Sequence, residues 1–328
     1  MKPLTQLKRS RRQVIASAAT ALAAATAGPL ARGQSESSRA VEPPGASAVE
    51  PFGYCLNTST ISGQNIGIAA EVDLAAKVGF GAIEPWIREI EQYQRQGKSL
   101  KDLRQRIEDH GLKVPSAIGF AQWIVDNETQ RNKAMEQAKH DMDLVAQLGG
   151  THIAAPPAGA TDKPGPELRV IAERYRALVE LGKKMGVIPM LELWGFSKNL
   201  SRIGEVAYVA IESGHPDACI LLDIYHIYKG GSDFDTLGLL SGRGLPVIHT
   251  NDYPAKPPRQ TINDAARVYP GDGIAPLDQI FRTLRSINFR GYLSVELFNR
   301  TYWKQSPPKV AQAAIDKTRE AVRKAMGG

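Results

Sequence analysis

Residues 219–226 read Cys-Ile-Leu-Leu-Asp-Ile-Tyr-His, an apolar run that ends in a carboxylate followed by polar and aromatic residues. A carboxylate at the end of a buried strand is costly unless it has a partner. Two other apolar runs end in a carboxylate, at Glu192 and Glu296, and a third ends near a histidine, His249. Because the carboxyl ends of parallel strands meet at one edge of a sheet, we expect these four side chains to converge. The pattern predicts a parallel fold with a polar site at that edge.

Apolar runs and amphipathic segments alternate through residues 51–328. The runs predicted as strands are eight: 52–56, 82–84, 113–118, 152–155, 187–193, 219–223, 246–250 and 292–297. Helices are predicted near 64–78, 99–110, 128–148, 166–185, 201–213, 231–240, 276–287 and 307–326. Strict alternation of this kind predicts an α/β fold with a parallel sheet, and eight units fit a single-domain (β/α)8 TIM barrel of ~250 residues. An open, doubly wound sheet is the alternative, but no G-x-G-x-x-G follows the first strand, which disfavours its dinucleotide-binding form.

The leader, residues 1–33, contains six basic residues and no acidic one. Arg11 and Arg12 precede an Ala-rich run at 16–30, which resembles a bacterial twin-arginine signal peptide. The protein is therefore expected to use the twin-arginine export machinery and to be periplasmic after the signal peptide is removed. The run is too short and too rich in Ala for stable membrane insertion. Residues 34–50, rich in Ser, Ala, Glu and Pro, are predicted to be a flexible tether.

The formal net charge of the chain is +7, and six of its positive charges lie in the leader. The rest of the chain is therefore close to neutral, which gives no electrostatic reason to expect a nucleic-acid partner. The two cysteines, Cys55 and Cys219, fall in separate predicted strands, so free thiols are expected rather than a disulfide.

A cation would resolve the repulsion expected within the convergent set. Glu192, Asp223 and Glu296 would raise one another's pKa if they faced each other without a positive charge between them. Together with His249 they offer three oxygen ligands and one nitrogen ligand for a divalent ion. Mn²⁺ suits this set best, with Mg²⁺, Co²⁺ and Zn²⁺ as alternatives.

Residues 52–328 resemble the xylose-isomerase-like TIM-barrel superfamily, in its branch of sugar isomerases and epimerases. The motifs that carry the resemblance are Gly-Phe-Gly-Ala-Ile-Glu at 79–84, Leu-Glu-Leu at 191–193, Leu-Leu-Asp-Ile-Tyr-His at 221–226, Ile-His-Thr-Asn-Asp at 248–252, Pro-Gly-Asp-Gly at 270–273 and Leu-Ser-Val-Glu at 293–296. The resemblance implies that Glu192, Asp223, His249 and Glu296 hold one metal ion. It also implies that Glu192 and Glu296 are catalytic and move protons on opposite faces of a bound sugar.

Further substrate contacts are expected around this set. The resemblance implies that His226 touches the substrate, and that an arginine beyond the seventh strand does so too. Arg259 and Arg267 are the candidates for that arginine. Glu84 ends the second predicted strand and could bind a sugar hydroxyl or bond to a neighbouring loop. Trp194 follows Glu192 by two residues, and its indole could stack on a sugar ring.

These residues predict a metal-dependent isomerase or epimerase that acts on a non-phosphorylated sugar or keto-sugar through an enediolate. A metal stabilises the charge on such an intermediate, and a carboxylate takes the proton. A lyase or dehydratase acting on a keto-sugar, an inosose or a 3-keto-glycoside would use the same site.

A non-catalytic carbohydrate-binding barrel is the second alternative. A DNA-repair endonuclease of this fold is disfavoured because no additional histidine follows Asp252. The sequence does not determine the oligomeric state, and a homo-oligomer is one possibility.

Overall fold

Seven parallel strands form one sheet in the computed structural model, which describes residues 50–328. The predicted signal peptide, and the predicted tether apart from its last residue, lie outside the described residues. The strands are β1 Gly53–Asn57, β2 Ala82–Glu84, β3 His152–Ala155, β4 Ile188–Glu192, β5 Cys219–Asp223, β6 Val247–Thr250 and β7 Tyr292–Val295. Their order in the sheet is β2-β1-β7-β6-β5-β4-β3.

The predicted third strand, 113–118, closes the ring between β2 and β3 without forming a regular strand. Ile83 of β2 donates a backbone hydrogen bond of 2.9 Å to Lys113, and Ala154 of β3 donates one of 2.9 Å to Ala117. A proline in the middle of the segment removes one backbone donor, which interrupts the ladder. The eight-unit barrel is thus confirmed, while its third strand is reduced to isolated bridges.

The helices of the described region are α1 Ile68–Val78, α2 Ile87–Arg95, α3 Leu100–Asp109, α4 Glu128–Gln147, α5 Leu168–Met185, α6 Ile203–Glu212, α7 Ile224–Gly230, α8 Leu277–Ser286 and α9 Pro307–Ala325. Short 3₁₀ turns cover Thr58–Gln64, Phe234–Leu239, Gly242–Gly244, Asp264–Ala266 and Tyr302–Lys304. Within residues 50–328 no helix combines the length and the apolar composition that a membrane span requires.

The prediction of a helix near 231–240 was wrong. The structure has α7 directly after β5, and only a 3₁₀ turn follows it. Asp223 explains the early start because its Oδ1 accepts a hydrogen bond of 2.9 Å from the backbone N–H of His226, an N-cap bond. Helix α2, absent from the sequence prediction, begins just after β2 with Glu89 bonded back to the N–H of Trp86.

Two layers of apolar side chains position the site. One lies between the sheet and the helices, and the other fills the barrel interior. The interior layer includes Met190, Leu221 and Val247. Because side chains alternate along a strand, the residues two positions later also face inward. Cys55 and Cys219 are both buried and unpaired, as predicted.

A buried carboxyl outside the barrel gives a stability prediction. Burial, with the nearby Glu89, raises the pKa of Glu71 to about 9. The folded chain then holds this proton more tightly than the unfolded chain, so stability should fall as the pH rises from about 4 to about 9. Glu71→Gln cannot ionise and should be more stable than wild type at pH 8 by at least about 1 kcal/mol. Urea unfolding at several pH values checks this, with exposed Glu212→Gln as the control. Parallel pH profiles for wild type and Glu71→Gln would contradict it.

Candidate active site

The four predicted ligands meet inside the barrel, directly above its apolar layer. Glu192 and Asp223 end β4 and β5, His249 lies in β6, and Glu296 follows β7. Each is two residues beyond an inward-facing position, so strand alternation brings all four side chains to the interior. All four are buried. The convergence expected from the sequence is therefore present in the structure.

The imidazole of His249 lies at the centre of this acidic cluster. Its Nδ1 is 3.2 Å from Glu296 Oε2, 3.7 Å from Asp223 Oδ2 and 3.9 Å from Glu192 Oε1. Ligands bound to one ion through bonds of ~2.0–2.2 Å are separated by similar distances. Asp223, His249 and Glu296 each offer one ligand atom within 4.8 Å of one another. The donor set therefore fits a divalent metal ion.

Glu84 lies behind His249 and fixes its orientation. Its Oε2 is 3.1 Å from His249 Nε2, and it accepts hydrogen bonds from Ser294 Oγ at 2.6 Å and Asn57 Nδ2 at 3.0 Å. With the proton on Nε2, His249 presents a free Nδ1 to the acidic cluster, and this Nδ1 has no hydrogen-bond partner. Metal-binding histidines typically have such a carboxylate on the other ring nitrogen.

This position changes the role expected for Glu84. Its side chain is fully buried and does not line the central cavity, so a sugar-hydroxyl contact is replaced by a contact with His249. The strand-end carboxylate was visible in the sequence, but its partner depends on a register between distant strands.

Removing the charge of Glu84 should weaken metal binding. Glu84→Gln keeps an acceptor for His249 but not the negative charge, and loss of such an outer contact typically costs 10–100-fold in affinity. We expect Zn²⁺ affinity to fall ~10-fold, measured by competition with a chelator. Glu212→Gln serves as the control for a distant glutamate. Unchanged affinity in Glu84→Gln would show that His249 is oriented without this carboxylate.

Arg267 is the arginine that reaches the acidic cluster. Its Nη1 donates to Asp223 Oδ2 at 2.7 Å and to Glu296 Oε2 at 2.8 Å. Its Nη2 donates to Asp264 Oδ1 at 2.6 Å and lies 3.1 Å from His226 Nε2. The guanidinium is 1% exposed and lines the central cavity, so it compensates negative charge at the site while facing the substrate space.

The other candidate, Arg259, does not enter the site. Its guanidinium lies against Gly231, just beyond α7, and Arg259 does not line the central cavity. Of the two candidate arginines, the structure therefore brings Arg267 to the acidic cluster and the central cavity and leaves Arg259 outside. Both residues belong to one long loop, and only the folded path of that loop distinguishes them.

Asp252, which the sequence analysis did not select, holds this loop in place. Its carboxylate accepts backbone hydrogen bonds from Tyr253 at 2.7 Å and from Gly271 and Gly273 at 3.0 Å each. A fourth bond of 2.9 Å comes from Ala275. The Pro-Gly-Asp-Gly motif is thus a backbone cradle for one buried carboxylate, and it fixes the end of the segment that carries Arg267.

The cluster requires positive charge at its centre. Burial opposes protonation of His249, but Glu296 and Glu84 outweigh it and hold its pKa well above the ordinary value. Burial raises the pKa of Glu192 to about 8, with His249 opposing and Glu296 adding to the rise. Burial also acts to raise the pKa of Glu296, yet the charges of His249 and Arg267 hold it below the ordinary range. A divalent cation would supply the same compensation directly.

A cavity of about 600 Å³ opens above the cluster, with Glu192, His226, Arg267 and Glu296 in its lining. Its walls are rich in aromatic side chains: Trp86, Phe120, Trp194, Phe196, Phe298 and Trp303. The predicted Trp194 is among them, while the phenylalanines come from loops that the sequence analysis left unassigned. Acidic groups and two arginines, Arg267 and Arg300, under aromatic walls suit a polyhydroxylated ring with apolar C–H faces.

Comparison with known proteins identifies the family of this chain and several relatives. The model of the xylose isomerase-like TIM barrel family matches residues 72–321. Inosose isomerase from Bacillus velezensis is 26% identical over 278 residues, which cover 82% of this chain and 97% of that enzyme. A 3-dehydroshikimate dehydratase from Pseudomonas putida is 21% identical over 247 residues, or 74% of this chain and 38% of that enzyme.

Among solved structures, the IolI protein with a bound zinc atom has a TM-score of 0.77 to this structure at 23% identity. The match covers 84% of this chain and 99% of that chain. The fold expected from the sequence is therefore confirmed. The chain belongs to the xylose isomerase-like TIM barrel family.

Proposed function

We propose that this protein is a metal-dependent isomerase or epimerase of a non-phosphorylated keto-sugar or inosose. The observation that carries the proposal is the unpartnered Nδ1 of His249 among three carboxylates, at the floor of an aromatic-lined cavity. The similarity to inosose isomerase supports an isomerase that acts on a cyclic polyhydroxy ketone.

Glu192, Asp223, His249 and Glu296 would hold the metal ion. When bound, the ion would stabilise negative charge on the substrate oxygens as the carbon-bound proton leaves. The IolI structure contains a bound zinc atom, which supports a divalent metal ion in this protein. We propose Mn²⁺ as the ion because three oxygen ligands and one nitrogen ligand suit it best, with Zn²⁺, Mg²⁺ and Co²⁺ as the other ions to test.

Two carboxylates would share the proton transfer. Glu192 and Glu296 lie on strands separated by β5 and β6, so they approach the cavity from different sides. One takes the proton from the carbon beside the carbonyl, and the other returns a proton to the opposite face or to the neighbouring carbon. Arg267 and His226, both in the cavity lining, would bind substrate oxygens and fix the ring between the two carboxylates.

A dehydratase is the second candidate. The similarity to 3-dehydroshikimate dehydratase supports it, because the same enediolate can expel a hydroxyl group on the neighbouring carbon. The first steps are identical in both reactions, and the products differ by one water molecule.

Incubation of the purified protein with inososes and keto-sugars in the presence of Mn²⁺, Zn²⁺, Mg²⁺ or Co²⁺ tests the proposal. We expect NMR to show a new sugar and mass spectrometry to show that its mass equals that of the substrate. A product lighter by one water would favour the dehydratase. Saturable sugar binding without any product under any metal would leave only a carbohydrate-binding barrel and overturn the enzymatic proposal.

We also propose that the protein is exported. Arg11 and Arg12 carry this proposal, since paired arginines before an apolar run are what the twin-arginine machinery reads. Replacement of both by lysine should leave the precursor in the cytoplasm. Cell fractionation measures this, with Arg32→Lys as the control within the same leader. An unchanged periplasmic yield would contradict export by this route.

A further inference from the structure

A second cavity adjoins the central one. It has a volume of about 520 Å³ and shares Trp86, Ile118 and Phe120 with the central cavity. The rest of its lining comes from α2, from α4 and from the segment between β2 and α4. The two cavities therefore lie side by side, with Trp86, Ile118 and Phe120 forming a wall that both share.

Aromatic side chains form a continuous path along this space. The ring centroids of Trp86 and Phe120 are 5.1 Å apart, those of Phe120 and Trp194 are 6.0 Å apart, and those of Trp194 and Phe196 are 5.3 Å apart. Phe120 is 41% exposed and Phe196 is 45% exposed. Two exposed phenylalanines beside a polar site indicate a surface that is covered when ligand binds.

The second cavity is polar without a dominant charge. The guanidinium of Arg88 lies 3.9 Å above the ring of Trp86, and Lys133 is the other cation of the lining. Glu91 and Asp141 balance these two charges. The remaining polar lining residues are amides: Gln122, Gln130 and Gln137. Mixed donors and acceptors of near-zero net charge suit hydroxyl groups better than a phosphate or a carboxylate.

The volumes of the two cavities also indicate a ligand larger than a single sugar ring. Cavities of ~300–1,000 Å³ accept drug-sized ligands, and a free hexose is smaller than such a ligand. The central cavity alone therefore exceeds what one sugar ring needs. The adjoining cavity adds space of nearly the same volume, and Phe120 lines both cavities.

We propose that the substrate carries a second sugar ring, so that its class is a ketose-containing disaccharide or a related glycoside. The reacting ring lies over the acidic cluster, and the second ring crosses the wall formed by Trp86 and Phe120 into the adjoining cavity. There its hydroxyls bond to Lys133 and Gln130. This inference rests on the proposed function and names the substrate class of the same site.

Sugars that contain the same ketose with and without a second ring test this proposal. D-fructose presents the reacting ketose alone, whereas lactulose, maltulose and palatinose present it with a second ring. We expect kcat/KM for at least one of the disaccharides to exceed that for D-fructose by at least ~10-fold, as two or more added hydrogen bonds would give. The double variant Gln130→Ala/Lys133→Ala should lower the disaccharide value ~10-fold and leave the D-fructose value unchanged. Both residues are exposed on α4, so folding should be unaffected, and exposed Lys139→Ala is the matched control.

A measurement of sugar binding distinguishes failure of the second-ring subsite from failure of the proposed isomerase activity. Quenching of tryptophan fluorescence by each sugar is measured in wild type and in the double variant. Tighter disaccharide binding that the double variant loses, without turnover of any sugar, would support the second-ring subsite and overturn the proposed isomerase. Equal affinities for D-fructose and the disaccharides, or a double variant that behaves as Lys139→Ala does, would overturn the subsite.

Discussion

Asp223→Asn should lose the divalent metal ion and at least ~10²-fold of the activity. The change removes one of the negative charges that would bind the ion, and it weakens the contact that anchors Arg267 at 2.7 Å. Asparagine keeps an oxygen that can accept the N-cap bond from His226, so helix α7 should survive. The loss would then reflect the site and not the fold. His249→Ala should have the same effect by removing the nitrogen ligand.

Elemental analysis and thermal unfolding with and without added metal measure this loss. Wild type should contain about one ion per chain, and its unfolding midpoint should rise with metal, since a ligand that binds only the folded state stabilises it. Asp223→Asn should show neither property. Asp143→Asn, an exposed aspartate on α4, serves as the control. A metal-independent midpoint in wild type, or a full complement of metal in Asp223→Asn, would contradict the ligand assignment.

Glu192→Gln and Glu296→Gln should each lower kcat by at least ~10²-fold, the lower range for general acid–base catalysis. Glutamine keeps the shape and one oxygen ligand but cannot take a proton. Metal content should therefore fall less than in Asp223→Asn. The two variants should also differ from each other, because one retains the group that abstracts the proton and lacks the group that returns it.

Exchange of the substrate proton with solvent deuterium separates the two roles. One variant should still exchange the proton without forming product, and the other should do neither. Glu212→Gln should match wild type in both assays. A wild-type rate in Glu192→Gln or in Glu296→Gln would reduce that residue to a ligand, and a mechanism with a single base would replace the one proposed here.

Strand periodicity explains why much of the site could be predicted from the sequence. Each of Glu192, Asp223, His249 and Glu296 closes or follows an apolar run. A period of two residues places them on the inward face once the strands are parallel. The carboxyl-terminal end of a barrel brings such positions together, and this convergence does not depend on the conformation of the loops. These four side chains meet within a few ångströms although the sequence separates the first from the last by about a hundred residues.

Two features that could not be predicted from the sequence depend on tertiary contacts. The choice between Arg259 and Arg267 depends on the path of a loop that Asp252 anchors through four backbone N–H groups. The position of Glu84 behind His249 depends on the register of β2, β1, β7 and β6. Helix α7 begins early because Asp223 caps it, so a residue that closes a strand also begins a helix. No local pattern encodes the first two relations, whereas the cap is a local bond between Asp223 and the N–H three residues later.

The proposed reaction is a proton transfer at the carbon beside the carbonyl, assisted by a divalent metal ion. The most direct test follows deuterium from the solvent into an inosose by NMR, with metal-loaded wild type, metal-stripped wild type and metal-loaded Asp223→Asn compared in parallel. We expect deuterium at one carbon next to the carbonyl with metal-loaded wild type, and exchange at least ~10²-fold slower in the other two samples. Product formed without deuterium, or equal exchange in all three samples, would contradict it.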